Sequence, residues 1–287
     1  MGINTHAQQY FNVRNSLHSF NSILTSVVQD NHKYYTAGIC LDSINYIGGG
    51  TGYIIWGIKF AVFDKNGNEL LDTFYQRQDI DIYTWDSKLI KQSDNSFLLA
   101  AYATDTSQYY LMLYRFDTLG RVLMEKQYHK PVCSTANSAF WRLKDFKPDG
   151  NGNWLMLSTI KCNSNHDLFL TKLDSAFNVI WHKQYGDNVL NDIAGRILVD
   201  GNSYVISGGR TNNNLTSKNF IYRAELIKID TAGNVQWTYL SPASRLTNAI
   251  QDVIKTQDGG YVYCGQGDAT EYLAPDGVSG VVSFRAW

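Results

Sequence analysis

Ile229-Asp230-Thr231-Ala232-Gly233-Asn234-Val235-Gln236-Trp237 is the stretch whose reading decides the fold. Its Asp can cap the turn that follows by accepting backbone N–H groups, and the residues after the turn alternate apolar and polar like a strand. The phrase recurs at Phe63-Asp64-Lys65-Asn66-Gly67-Asn68, Phe116-Asp117-Thr118-Leu119-Gly120-Arg121 and Leu173-Asp174-Ser175-Ala176-Phe177-Asn178. The four aspartates are 53, 57 and 56 residues apart. A period of that length, held across most of 287 residues, describes an array of one small unit.

Working outward from Asp230 gives the unit. Ile193–Val199 is a short apolar run, Asp200–Ser203 a turn, and Tyr204–Gly208 a second strand. An Asn-rich loop over 210–219 leads to Phe220–Ile229, then the Asp230 turn and Val235–Tyr239. Short period-2 runs bounded by Gly, Asn and Asp predict four antiparallel strands. Second strands are expected to start at Tyr34, Phe97, Trp154, Tyr204 and Tyr261, and fourth strands to end in Tyr75, Tyr128, Tyr185 and Tyr239. No window carries a sustained 3.6-residue stripe, so helix is not expected. The fifth unit reaches only a third strand, Val281–Ala286, while Gln9-Tyr10-Phe11 repeats the Gln-Tyr pair of the fourth strands at 127–128 and 184–185.

The expected fold is therefore all-β: a β-propeller of four-stranded antiparallel blades, five blades closed by the N-terminal strand. The alternative is an arc of a seven- or eight-bladed ring. Residues 1–7, with Thr5-His6-Ala7 before Gln8, are read as a signal-peptide remnant or disordered start, and 8–287 as one propeller domain. Trp181 and Trp237, each seven residues after its Asp, are expected to anchor one blade on the next.

Composition narrows the function classes. A net charge of −1 and a pI near 6.6 give no basic footprint for nucleic acid. No apolar run approaches the ~20 residues that span a bilayer, and a monomer is expected. Cys40, Cys133, Cys162 and Cys264 form no C-x-x-C pair; Cys133 and Cys162 flank one repeat and could pair after export, or serve as buried small hydrophobes. His6, His18, His32, His129, His166 and His182 show no metal-ligand spacing. With no nucleophile elbow and no phosphate loop, neither metal nor cofactor is expected.

Asp258-Gly259-Gly260-Tyr261 together with Ile229–Trp237 resembles the propeller repeats of large secreted bacterial proteins of the type IX secretion lineage. The resemblance covers roughly 20–287 and implies an extracellular or cell-surface location. It also implies O-glycosylation of Asp-Ser/Thr-apolar triplets, which fit Asp42-Ser43-Ile44, Asp117-Thr118-Leu119, Asp174-Ser175-Ala176 and Asp230-Thr231-Ala232. Three of these four are the turn phrase itself. The sialidase Asp box is not matched, since Gly233 lies three residues beyond Asp230 rather than two and Lys228 replaces its Ser.

In such a blade the tight turns share one face and the irregular connections the other: 41–53, 76–85, 129–140, 209–219 and 267–279. Ligands are expected on the irregular face. Its densest cluster is Asp79, Asp81 and Asp86 with Tyr83 and Trp85 between them, suited to stacking a sugar and bonding its hydroxyls. Trp141-Arg142 and Asp192, with Arg196, occupy comparable positions in later units. Alternating Asp and apolar residues also describe a half-exposed strand entry. The leading expectation is a non-catalytic binding or adhesion module for glycan or protein. A carbohydrate-active hydrolase or lyase using those carboxylates is the alternative, and a purely structural segment of a surface protein the third.

Overall fold

The computed structural model describes residues 21–47, 51–105, 107–129, 141–162, 165–186, 190–211, 222–241, 248–267 and 284–286. Every element among them is a strand. The first sheet runs β1 (Asn21–Asp30), β2 (Lys33–Ile47), β3 (Thr51–Asp64), β4 (Glu69–Tyr75). In the second, β5 (Asp81–Tyr83) and β6 (Leu89–Lys91) both pair with β7 (Phe97–Thr104), followed by β8 (Tyr109–Phe116) and β9 (Val122–His129). The third is β10 (Trp141–Pro148), β11 (Trp154–Cys162), β12 (Asn165–Leu173), β13 (Val179–Tyr185). The fourth is β14 (Asp192–Asp200), β15 (Ser203–Thr211), β16 (Tyr222–Asp230), β17 (Val235–Leu240). The fifth has β18 (Asn248–Lys255), β19 (Tyr261–Gly267) and β20 (Phe284–Ala286).

The chain is thus all-β, built from four-stranded antiparallel blades at the expected period. Gln9-Tyr10-Phe11, and with it the closing strand, lies outside the described residues. Contacts group the chain into two compact units, Met1–Thr106 with Met112–Gln127, and Ser107–Leu111 with Tyr128–Trp287.

The turn phrase is a self-capped hairpin. Asp230 Oδ1 accepts the backbone N–H of Ala232 (2.9 Å) and Asn234 (2.8 Å), and the Asn234 amide donates to Oδ2 (3.0 Å). Asp64, Asp117 and Asp174 repeat the arrangement, and so does Asp149 in the first hairpin of the third sheet. The residue three after the Asp takes positive φ: Gly67, Gly120 and Gly233, but Phe177 at φ 62°. Phe177 is kept because its ring is buried against Trp154, 5.8 Å between centroids.

Four opening strands are bulged at one height, between Leu24 and Ser26, Leu143 and Asp145, Ala194 and Ile197, and Ile250 and Asp252. An extra residue there bends the strand over its partner. In three of the four the facing residue is a glycine, Gly38, Gly208 or Gly265, where a Cβ would come within 2.0, 2.2 and 2.0 Å of a carbonyl oxygen of the bulged strand; in the third sheet it is Ser158. In the second sheet the bulge has grown until the opening strand divides into β5 and β6, with 84–88 between them.

Neighbouring sheets are latched by repeated polar contacts. Lys172 Nζ donates to Tyr204 OH (2.9 Å) and pairs with Asp149 (3.1 Å), and Tyr204 OH donates to Asp149 Oδ2 (3.0 Å). One unit later Lys228, Tyr261 and Asp200 do the same at 2.6–2.9 Å. The fourth-strand tyrosines donate forward, Tyr128 OH to Phe177 O and Tyr185 OH to Gly233 O, both 2.9 Å. Trp181 and Trp237 pack where expected, against the apolar layers between the third, fourth and fifth sheets. The inner strands are apolar on both faces, β7 being buried from Phe97 to Ala103.

One segment corrects the sequence reading. Residues 41–53 were expected to be irregular, yet β2 and β3 continue as a paired ribbon to Ile47 and Thr51. Alternation in Ser43–Ile47 and Tyr53–Ile55 extends the ladder.

Candidate functional site

The first unit carries Asp79, Asp81, Tyr83, Trp85 and Asp86. Asp79 is exposed and held by both nitrogens of an Arg77 fork, Nε at 2.8 Å, and Arg77 also reaches Glu125 Oε1 at 2.6 Å. Tyr75 OH donates to the other Glu125 oxygen at 2.5 Å. The Arg77 hydrogen bonds hold the Asp79 carboxyl below its usual range, although partial burial opposes them. Arg77 therefore braces the segment after β4 to β9, with Asp79 as its second carboxylate partner and a poor proton donor. Asp81 opens β5 and accepts the Trp56 N–H at 2.9 Å. Tyr83 lies nearly parallel on Tyr102, with centroids 5.1 Å apart and planes at 14°, and Trp56 stands 6.3 Å away. Between Asp81 and Tyr83, Ile82 is fully buried, so the strand-entry reading holds for these three residues. Trp85 is 47% exposed in the 84–88 excursion, with Asp86 half-buried beside it.

The second unit carries Trp141 and Asp192. Trp141 is not a surface aromatic. It is 2% exposed, donates from Nε1 to Ser158 Oγ at 2.7 Å and meets Phe169 edge-on at 6.0 Å. It fills a wedge in the core, while its neighbour Arg142 is exposed. Asp192 is fully buried at the start of β14, opposite Arg210 in register. Arg210 Nε donates to Asp192 Oδ1 at 2.8 Å, and its Nη2 pairs with Glu225 Oε1 at 2.9 Å.

A second carboxylate joins it. Asp167, near the start of β12, accepts Gln184 Nε2 at 2.7 Å through Oδ2. Its Oδ1 and Asp192 Oδ2 converge beside Gly186, where a Cβ would lie 2.3 Å from the first and 2.5 Å from the second. Gly186 itself is exposed, so the pair lies one residue beneath the surface. Next to it, the His166 N–H donates to Asn191 Oδ1 at 2.9 Å, and the Asn191 N–H donates to Thr211 Oγ1 at 2.8 Å. Burial is the main cause that lowers the His166 pKa. Lys161 and Arg142 add to it against the Asn191 hydrogen bond, leaving a neutral ring at pH 7.

The sequence reading named Asp192 as a candidate but not Asp167, Gln184, Arg210 or Glu225, which the structure groups with it. A signal was present: Asp167 directly before Leu168-Phe169-Leu170, and Glu225 within Ala224-Glu225-Leu226-Ile227, are carboxylates set against short apolar runs. Burial of such a charge requires partners. Among the described residues, no group of three or more His, Cys, Asp or Glu is arranged to hold a metal ion. Cys40 is buried and Cys264 exposed, and the pairing of Cys133 with Cys162 lies outside the described side chains.

No protein-family profile and no curated protein matches the chain. It is similar to solved structures. One is an endo-arabinase from Bacteroides thetaiotaomicron, 10% identical, covering 94% of this chain and 96% of that one at a TM-score of 0.47. A GH62 α-L-arabinofuranosidase catalytic domain from Coprinopsis cinerea is 9% identical, covering 89% and 87% at 0.45. A third, an α-L-arabinofuranosidase from Clostridium thermocellum, is 12% identical, covering 86% and 82% at 0.40. All three are named as sugar-cleaving enzymes; the leading expectation of a non-catalytic binding module does not stand, and its stated alternative is taken up below as a proposal. At such identities and scores no residue role or substrate passes to this chain.

Proposed function

We propose that this protein is a carbohydrate-active hydrolase whose reacting groups are Asp167 and Asp192. The observation that carries the reading is the convergence of these two carboxylates on one point beneath exposed Gly186. Cleavage of a glycosidic bond needs one carboxyl to protonate the leaving oxygen and a second to act as nucleophile or to activate water. Two oxygens each within 2.5 Å of one point are at most about 5 Å apart, short of the ~6.5–9.5 Å that leaves room for an inverting water and near the ~5–5.5 Å of a retaining pair. Gln184 and Arg210 fix the orientation of each carboxylate, and Arg210 shares its charge with Glu225. The sequence alternative placed the chemistry on Asp79, Asp81 and Asp86; the Arg77 fork on Asp79 argues for the second unit instead. Export belongs to the same proposal, since polymeric sugars lie outside the cell; fractionation of the native host tests it.

The test is release of reducing ends from a panel of plant and microbial polysaccharides. Wild type should cleave at least one polymer, and Asp167→Asn and Asp192→Asn should each lower kcat by about 10²–10⁴ while keeping the circular-dichroism spectrum. Asp79→Asn should remain active. An inert wild type, or full activity in both Asn variants, would remove the hydrolase reading.

A further inference from the structure

The second sheet departs from its four siblings at one place. Where the others carry a bulge, its opening strand leaves the ladder for Thr84-Trp85-Asp86-Ser87-Lys88 and returns at Leu89. The excursion is a closed turn, with the Ser87 N–H donating to Thr84 O at 3.1 Å. Its return is pinned by the Leu89 N–H donating to Ser26 Oγ at 2.8 Å. A turn held at both ends presents the Trp85 ring 47% exposed. The residues bracketing it, Thr84 and Ser87, are 0% and 4% exposed, and neither hydroxyl has a hydrogen-bond partner among the described residues. Tyr83, stacked on Tyr102, stiffens the strand that enters the turn.

An exposed indole on a braced turn, flanked by the half-buried Asp86 carboxylate, matches what a sugar ring requires: an apolar face to stack on and a polar atom for its hydroxyls. The geometry points to a glycan-binding site on the first unit centred on Trp85, with Asp86 bonding the stacked ring. It is argued from residues that the proposed cleavage reaction does not use, and it stands whether or not the chain hydrolyses anything.

Affinity electrophoresis of the full chain through gels containing arabinan, galactan, xylan, mannan or β-glucan tests it. The Asp167→Asn variant is used so that cleavage cannot alter the gel. At least one polymer should retard this protein. Adding Trp85→Ala should weaken the retardation at least tenfold, Trp85→Phe less, and Asp86→Asn by a measurable fraction. Thermal melts of each variant should match the parent, because Trp85 is largely outside the core. Equal retardation with and without Trp85, or no retardation by any polymer, overturns the site. Cleavage by the wild type in the reducing-end assay is a separate result, so the two readings fail independently.

Discussion

Gly208 and Gly201 show how one residue type answers two different demands. A Cβ at Gly208 would sit 2.2 Å from Ile193 O, the carbonyl of a bulged strand that cannot retreat, whereas Gly201 needs only its φ of +59° and has nothing within 4 Å. Gly208→Ala should therefore cost about 3 kcal/mol through backbone displacement, and Gly201→Ala about 1 kcal/mol through the left-handed conformation alone. Urea midpoints of the two variants check the order, and a reversed ranking would refute the overlap argument. From the sequence, the turn glycines were legible because Asp-x-x-Gly announces positive φ. Gly38, Gly208 and Gly265 were not, because the carbonyl each avoids belongs to a bulge that only the paired strand reveals.

Between neighbouring blades, the Asp–Lys–Tyr latch links three elements that are far apart in sequence. Burial works against the charged form of Asp149, but the N–H groups of Asn151 and Asn153, the Asn153 amide and the Lys172 ammonium outweigh it and bring its pKa down to about 2. Removing the hydroxyl in Tyr204→Phe leaves the Lys172–Asp149 pair intact and should cost about 1 kcal/mol. Lys172→Met, which strips a buried carboxylate of its cation, should cost about 3 kcal/mol. Chemical denaturation of both variants, with Tyr261→Phe as the equivalent one unit later, measures the difference. The aromatic opening of each second strand was visible in sequence, yet its polar role was not. The same position is Phe97 in the second sheet and Trp154 in the third, neither of which carries a hydroxyl, so no polar pattern marks it along the chain.

Acid should act on the molecule as a whole, because carboxylates held in turns and latches recur from the first sheet to the fifth. Asp64, Asp94, Asp117, Asp149, Asp200 and Asp230 all have folded pKa values below the ordinary carboxylate range. A depressed folded pKa gives stability that is present above the unfolded value of about 3.9 and is lost as pH falls through the folded one. The urea midpoint should be flat from pH 7 to 5 and fall steeply between about pH 4 and 2; an unchanged midpoint at pH 2.5 would contradict this. Periodicity alone established the array, its strands and its hairpins, since turn chemistry and period-2 alternation are local and each unit repeats the same local instructions. The tertiary structure chose among residues that look alike in the chain. It made Trp141 core, tied Asp79 to the Arg77 fork, and brought Asp167 to Asp192 from neighbouring sheets, because burial and convergence depend on which strands become neighbours, and no local pattern encodes that.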